Sequence, residues 1–140
     1  MAEKQLNNPT GAFGYTGLSN NLGPRTTHSF VAAGTITSGK LVVLGSAGTI
    51  TQAATSSTAL VCGVAIESGV SGDLVQVVTY GLVEVTKLSS ETVASGDLLI
   101  PSTATAGNVV SAGTTVSNAV CGVAVTVTST SVTMWFGLRG

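Results

Sequence analysis

Six acidic side chains, one histidine and two cysteines are what this 140-residue chain offers for acid–base, metal or thiol chemistry. Two of the acids stand in a repeated phrase, Ser71-Gly72-Asp73-Leu74 and Ser95-Gly96-Asp97-Leu98. A catalytic carboxylate pair needs two acids in one cleft with separated pKa values. A third copy of the phrase, Ser38-Gly39-Lys40-Leu41, puts a lysine at the same place. A position that accepts either sign of charge suits an exposed turn. Glu67, Glu84 and Glu91 have no nearby histidine, Ser-Gly elbow or second acid to complete a constellation. The single histidine, His28, has no partners at metal-ligand spacing; it reads as an ordinary residue at the entry to the folded domain. The glycine turns match neither the dinucleotide-binding nor the phosphate-loop pattern. No catalytic residue, cofactor or metal site is expected, and the chain does not read as an enzyme.

The two cysteines occur in a second recurrence, Cys62-Gly63-Val64-Ala65 and Cys121-Gly122-Val123-Ala124. A disulfide across a pseudo-twofold axis and two buried, reduced thiols both fit this placement. Reduced thiols are the commoner state in a cytoplasmic product. Gly39 and Gly96 are 57 residues apart, Cys62 and Cys121 59 apart, and Tyr80-Gly81-Leu82 has a counterpart in Phe136-Gly137-Leu138. The chain therefore reads as a duplicated β-unit, with residues 38–82 repeated as 95–138.

Between the turns lie runs of Val, Ile and Thr punctuated by glycine or by serine-threonine clusters, the composition of strands. Strands are expected near 28–33, 40–44, 49–53, 60–66, 73–79, 82–86, 97–101, 108–111, 120–126 and 131–136. Val123, Val125 and Val127 alternate with Ala124, Thr126 and Thr128, the period of a half-buried strand. Residues 55–58 and 102–107 read as exposed loops. No window carries a helical stripe. Short strands at this spacing predict an all-β fold, a small β-barrel or barrel-like sandwich. The threonines at 126, 128, 130 and 133 lack the regular spacing of an ice-binding array.

Only 8% of residues are charged while 44% are hydrophobic, and no charged side chain occurs between Leu98 and Leu138. A lone subunit with such a surface would lack the charge that keeps proteins apart, so cover by other subunits or a partner is expected. No apolar run approaches the ~20 residues of a spanning helix, and six aromatics are too few for the girdles of a membrane barrel. The five basic residues, Lys4, Arg25, Lys40, Lys87 and Arg139, form no patch, so nucleic acid is not an expected partner. Glu3 and Lys4 without an apolar core segment do not make a secretory signal, which points to assembly in the cytoplasm. Trp135, between Met134 and Phe136, fits core packing and an oligomer contact equally well.

Residues 1–27 differ from the rest, being rich in turn formers such as Asn7-Asn8-Pro9-Thr10-Gly11 and Asn20-Asn21-Leu22-Gly23-Pro24. They read as an extended N-terminal arm preceding a barrel domain of residues 28–140. Phe13, Tyr15 and Leu18, with Leu22 and Arg25, are its candidate anchors. Ordering such an arm costs on the order of 1–2 kcal/mol per residue, more than a few buried side chains at ~1.5–3 kcal/mol each can return. Docking would therefore need main-chain pairing to a sheet edge.

The order of elements, "ITSGKLVVL", "GTITQA", "ALVCGVAIESGVSGDLVQVVTYGLVEV", "ETVASGDLLIPS" and "AVCGVAVTVTSTSVTMWFGL", resembles the capsid cement, or head decoration, proteins of tailed bacteriophages. The likeness covers about residues 30–138; Lys40 replaces the usual aspartate of the first turn, and a fourth turn is reduced to Thr130-Ser131-Val132. The resemblance implies a β-barrel subunit, usually a homotrimer, that binds major capsid protein on the outside of the virion at capsomer junctions. It also implies that the arm clamps capsid protein or a neighbouring subunit. Trp135 and Phe136 are the candidate oligomer-interface residues on the strength of tryptophan's enrichment at interface centres. A receptor- or carbohydrate-binding module of a phage tail or cell surface is the alternative, although the loops lack aromatics for stacking on sugars.

Overall fold

A computed structural model describes residues 25–55, 61–113 and 119–137. Nine strands make up one curled, half-barrel sheet among these residues. They are β1 (Arg25–Val31), β2 (Leu41–Leu44), β3 (Ile50–Gln52), β4 (Val61–Ala65), β5 (Leu74–Thr86), β6 (Leu98–Pro101), β7 (Val109–Gly113), β8 (Gly122–Val127) and β9 (Ser131–Phe136). The sheet order is β3-β2-β4-β5-β9-β8-β6-β7, with β1 also paired to β5, and every one of these pairings is antiparallel. One short 3-10 turn, Ser46–Gly48, links β2 to β3.

Three local readings change. The strands expected at 73–79 and 82–86 are one strand of 13 residues, β5. Gly81 does not end it, because glycine takes φ +114° without a Cβ clash and lets the strand bend instead. The first strand starts at Arg25, where its pairing to Gly81 begins. The segment 102–107, expected as an exposed loop, is tucked in at both ends: Ser102 and Gly107 are buried. The Ser102 hydroxyl accepts from the Ala104 and Thr105 amides, and the Gly107 carbonyl accepts from Leu41 N at 2.8 Å. Most of the loop near 55–58 lies outside the described residues.

The sequence repeat is a structural repeat, and it extends further than the sequence shows. Leu41 and Val42 pair with Val64 and Gly63; Leu98 and Leu99 pair with Val123 and Gly122. Gly39 N donates to Ala65 O at 2.7 Å and Gly96 N to Ala124 O at 2.8 Å. Both turn glycines have positive φ, +83° and +93°. Ala65 and Val64 pair with Val77 and Val78, as Ala124 and Val123 pair with Met134 and Trp135. On the other side of the same strands, β1 pairs with the first half of β5 in the register that the second half of β5 adopts on β9. Even the exit from that strand is copied: Ala32 N donates to Asp73 O and bridges Ile50, while Lys87 N donates to Thr130 O and bridges Val109. Each unit thus has five strands, and β5 closes the first unit and opens the second.

The cores follow the same division. Ala32, Ile36, Val42, Ile50, Ala65, Val75 and Val77 fill the first unit. Their counterparts Val93, Leu99, Val109, Ala124, Val132 and Met134 lie together in the second, with Lys87 replacing Ala32. That second cluster also takes in Leu41, Ala53, Val61, Val64 and Val78, a wall of the first unit. At ~1.5–3 kcal/mol for each fully buried aliphatic side chain, this wall joins the units into one folding body.

Gly63 and Gly122 set how closely strands approach. A Cβ on Gly63 would lie 2.4 Å from the Val78 carbonyl oxygen, and one on Gly122 would lie 2.6 Å from that of Trp135. A backbone oxygen cannot swing away as a side chain can. Gly122→Ala and Gly63→Ala are therefore each expected to destabilise by more than about 2 kcal/mol in urea unfolding. Gly34→Ala, with nothing within 4 Å of the new methyl, should change stability by less than about 0.5 kcal/mol.

Candidate interaction surface

Among the described residues, the acidic side chains do not converge. Asp73 and Asp97 close matching turns: Asp73 Oδ2 accepts from Val70 N at 2.9 Å and Asp97 Oδ2 from Ala94 N at 3.0 Å. The backbone repeats the match, with Asp73 N donating to Val70 O and Asp97 N to Ala94 O. Asp97 Oδ2 also accepts from the Ser111 hydroxyl at 2.6 Å. That bond first, and the Ala94 amide second, hold the Asp97 carboxyl below the usual carboxylate range. Lys40, at the matching place of the first turn, donates to Asn108 Oδ1 and so ties the first unit to the second; partial burial pulls its pKa down.

Glu67 accepts from Gln76 N, and Glu84 from the Ser131 hydroxyl at 2.6 Å. His28 lies within 3.1 Å of the Thr79 hydroxyl on the exposed face of β1. No group of three or more His, Cys, Asp or Glu among the described residues could hold a metal ion. Both cysteines are free thiols. Cys62 is half-buried against the first core, Cys121 buried in the second, and burial pushes the Cys62 thiol up.

One polar residue escapes any reading of the sequence by motif. Lys87 is 5% exposed, and its ammonium donates at 2.9 Å to each of three backbone carbonyls, those of Leu88, Glu91 and Ser129. Three fixed acceptors replace the water lost on burial. The only sequence cue is a lysine directly after an alternating strand, which is weak.

Several large apolar side chains among the described residues are left open. Trp135 is 38% exposed and meets Tyr80, itself 48% exposed, edge-on with ring centroids 6.4 Å apart. Val125 is open, and Val123, paired to Trp135, is half-buried. Of the two candidate interface residues, Trp135 offers surface, whereas Phe136 packs in the second core. A second apolar spot lies at the far end of β5, where Leu74 pairs with Val31 and both are exposed beside Val70. Between the units runs a cleft of about 390 Å³ whose lining includes Arg25, Gly39, Ala65, Glu84, Thr86 and Ser131. Arg25, on its lining, is the one candidate arm residue within the described chain; Phe13, Tyr15, Leu18 and Leu22 lie outside it.

Among the described residues, the duplicated half-barrel holds Asp73 and Asp97 in turns and leaves apolar side chains open on its strands. The family model described as phage cement protein matches residues 22–138. The chain belongs to the phage cement protein family. Among solved structures, the N base of the head fibre gp8.5 of bacteriophage phi29 is similar in fold. Its TM-score is 0.57 at 20% identity, over 81% of this chain and 95% of that one. No curated protein matches the chain. Membership makes the cement-family chain a phage structural protein associated with the capsid and a component of the virion.

Two side chains of this cement-family chain lend themselves to direct tests. Because the Asp97 carboxyl is held below its ordinary range, its contribution is full above a pH of about 4. It is lost as pH falls through the lowered folded value. Unfolding free energies of the wild type and Asp97→Asn, measured against pH, should therefore converge on acidification below that point. Lys87→Met keeps the apolar stem but strips three carbonyls of their donor, and should cost about 2–4 kcal/mol in denaturant unfolding.

Proposed function

We propose that this chain binds the outer surface of a phage head at junctions between capsomers of the major capsid protein and stabilises the shell. Membership of the cement family carries this reading. The surface supports it: a second unit without a charged side chain from Leu98 to Leu138 and an open Tyr80–Trp135 pair favour burial against protein. Three copies form the decorating unit, because a homotrimer multiplies weak contacts to the shell through effective concentration. Assembly takes place in the host cytoplasm, on the exterior of the head.

Residues 1–24 serve as the arm in this proposal, with Phe13, Tyr15, Leu18 and Leu22 as anchors on capsid protein or a neighbouring subunit. Arg25 begins the sheet beside Gly81 and lines the cleft between the units, so the arm would lead into the sheet at that cleft. A sugar-binding module would carry its stacking aromatics on loops, whereas Tyr80 and Trp135 stand on strands.

The test uses heads prepared without the protein, to which purified protein is added back and imaged. Ordered density at capsomer junctions is expected, together with greater resistance of the head to heating. Deleting residues 2–24 should leave the circular dichroism of the sheet unchanged and weaken head binding at least tenfold. Phe13→Ala with Tyr15→Ala should account for about 2–4 kcal/mol of that loss. Undiminished binding by the truncated protein would remove the arm from the reading; absence of any binding by the full chain would remove the reading itself.

A further inference from the structure

The duplication supplies an internal standard for which surfaces should be covered. In the first unit the wall of Leu41, Val61, Val64 and Val78 is buried in the second unit's core cluster. The matching wall of the second unit is Leu98, Val120, Val123 and Trp135, as the pairings Leu41–Val64, Val64–Val78, Leu98–Val123 and Val123–Trp135 require. Its two ends, Leu98 and Val120, are buried, but its centre is open: Val78 is 0% exposed, whereas Trp135 is 38% exposed.

The complementary surface is uncovered as well. β1 is the counterpart of the second half of β5, His28 standing to Val77 as Val83 stands to Met134. Val83 and Val85 are buried in the cluster that the first wall joins. Their counterparts, His28 and Phe30, are exposed and half-buried, and four consecutive residues of β1, Thr26 to Ser29, are exposed. A contact made once inside the chain is thus left with one open half on each unit.

We propose that a second copy of this chain docks there, the Val123–Val125–Trp135 wall of one copy against the exposed face of β1 in the next. The occupant is a copy because the chain already contains a working example of this fit, wall on neighbouring unit. The wall lies in a stretch with no charge to repel a copy. Such a contact is heterologous, so repeating it closes a ring where the rotation allows. The inference deepens the oligomeric part of the function proposed above and rests on it.

Trp135 is the sole tryptophan, so its fluorescence reports on the wall directly. Sedimentation of the full chain without heads should show association, with Trp135 emission shifting blue over the same concentrations. Trp135→Glu and Val125→Glu should each raise the half-association concentration at least tenfold while leaving the circular dichroism of the sheet unchanged. Leu74→Asp, on the other exposed spot, should leave association within twofold. In a Cys62→Ser background, Val125→Cys protein mixed with His28→Cys protein should give mixed disulfide dimers, and neither should cross-link efficiently with itself. A monomer at all concentrations, association unaffected by Trp135→Glu, or efficient Val125→Cys self-linkage would overturn the inference. So would a Trp135 shift that appears only when heads are added, which would assign the wall to capsid protein. Head binding by wild type, measured separately, stands or falls independently of these outcomes.

Discussion

The sheet depends on β5 remaining one strand across the join between the units. Its first half carries β1 and β4, and its second half carries β9. A break at Gly81 would leave two five-stranded pieces connected by a linker. Continuity is possible because Gly81 adopts φ +114°, a conformation that side-chain-bearing residues rarely take, and the strand absorbs a register shift where Thr26 and Thr27 pair beyond it. Bend and continuity together hold the first unit's wall against the second unit's core. The close approaches at Gly63 and Gly122 then fix the spacing on either side, since each brings a strand onto a neighbour's carbonyl oxygen.

Duplication under this constraint yields two units with the same backbone plan and different surfaces. Where the first unit buries Ala32, the second buries Lys87 and supplies three carbonyls to its ammonium. Where the first turn puts Lys40 on Asn108 across the join, the third turn puts Asp97 on Ser111 within its own unit. Where the first unit hides Val78, the second displays Trp135. Main-chain hydrogen bonds fix the plan, and side chains are free to diverge as long as each buried polar group finds a partner. Among the described residues, Asp73 and Asp97 close turns, and Glu67 and Glu84 accept hydrogen bonds from β5 and β9. Membership of the phage cement protein family fits a surface that leaves Tyr80, Val125 and Trp135 open.

Much of this was legible in the sequence because it lies in local chemistry. Glycine turns before β-branched runs dictate strands and their starts; the recurring Ser-Gly and Cys-Gly-Val-Ala phrases dictate a repeat, since like residues adopt like turns. The family could be read from the order of those phrases. The scarcity of charge also belongs to composition alone. What only the tertiary structure decided are the properties that arise when distant strands meet. The repeat reaches back to Arg25, yet β1 (RTTHSFV) and its counterpart in β5 share almost no residue identity, and only pairing register relates them. Ser102 and Gly107 look like loop residues until β2 comes to rest on the Gly107 carbonyl. Lys87 looks like a surface charge until three carbonyls surround it. Phe136 and Trp135 are neighbours in one alternating strand, and sequence treats them alike; the face each takes, one in the core and one open, is set by which units the curled sheet brings together.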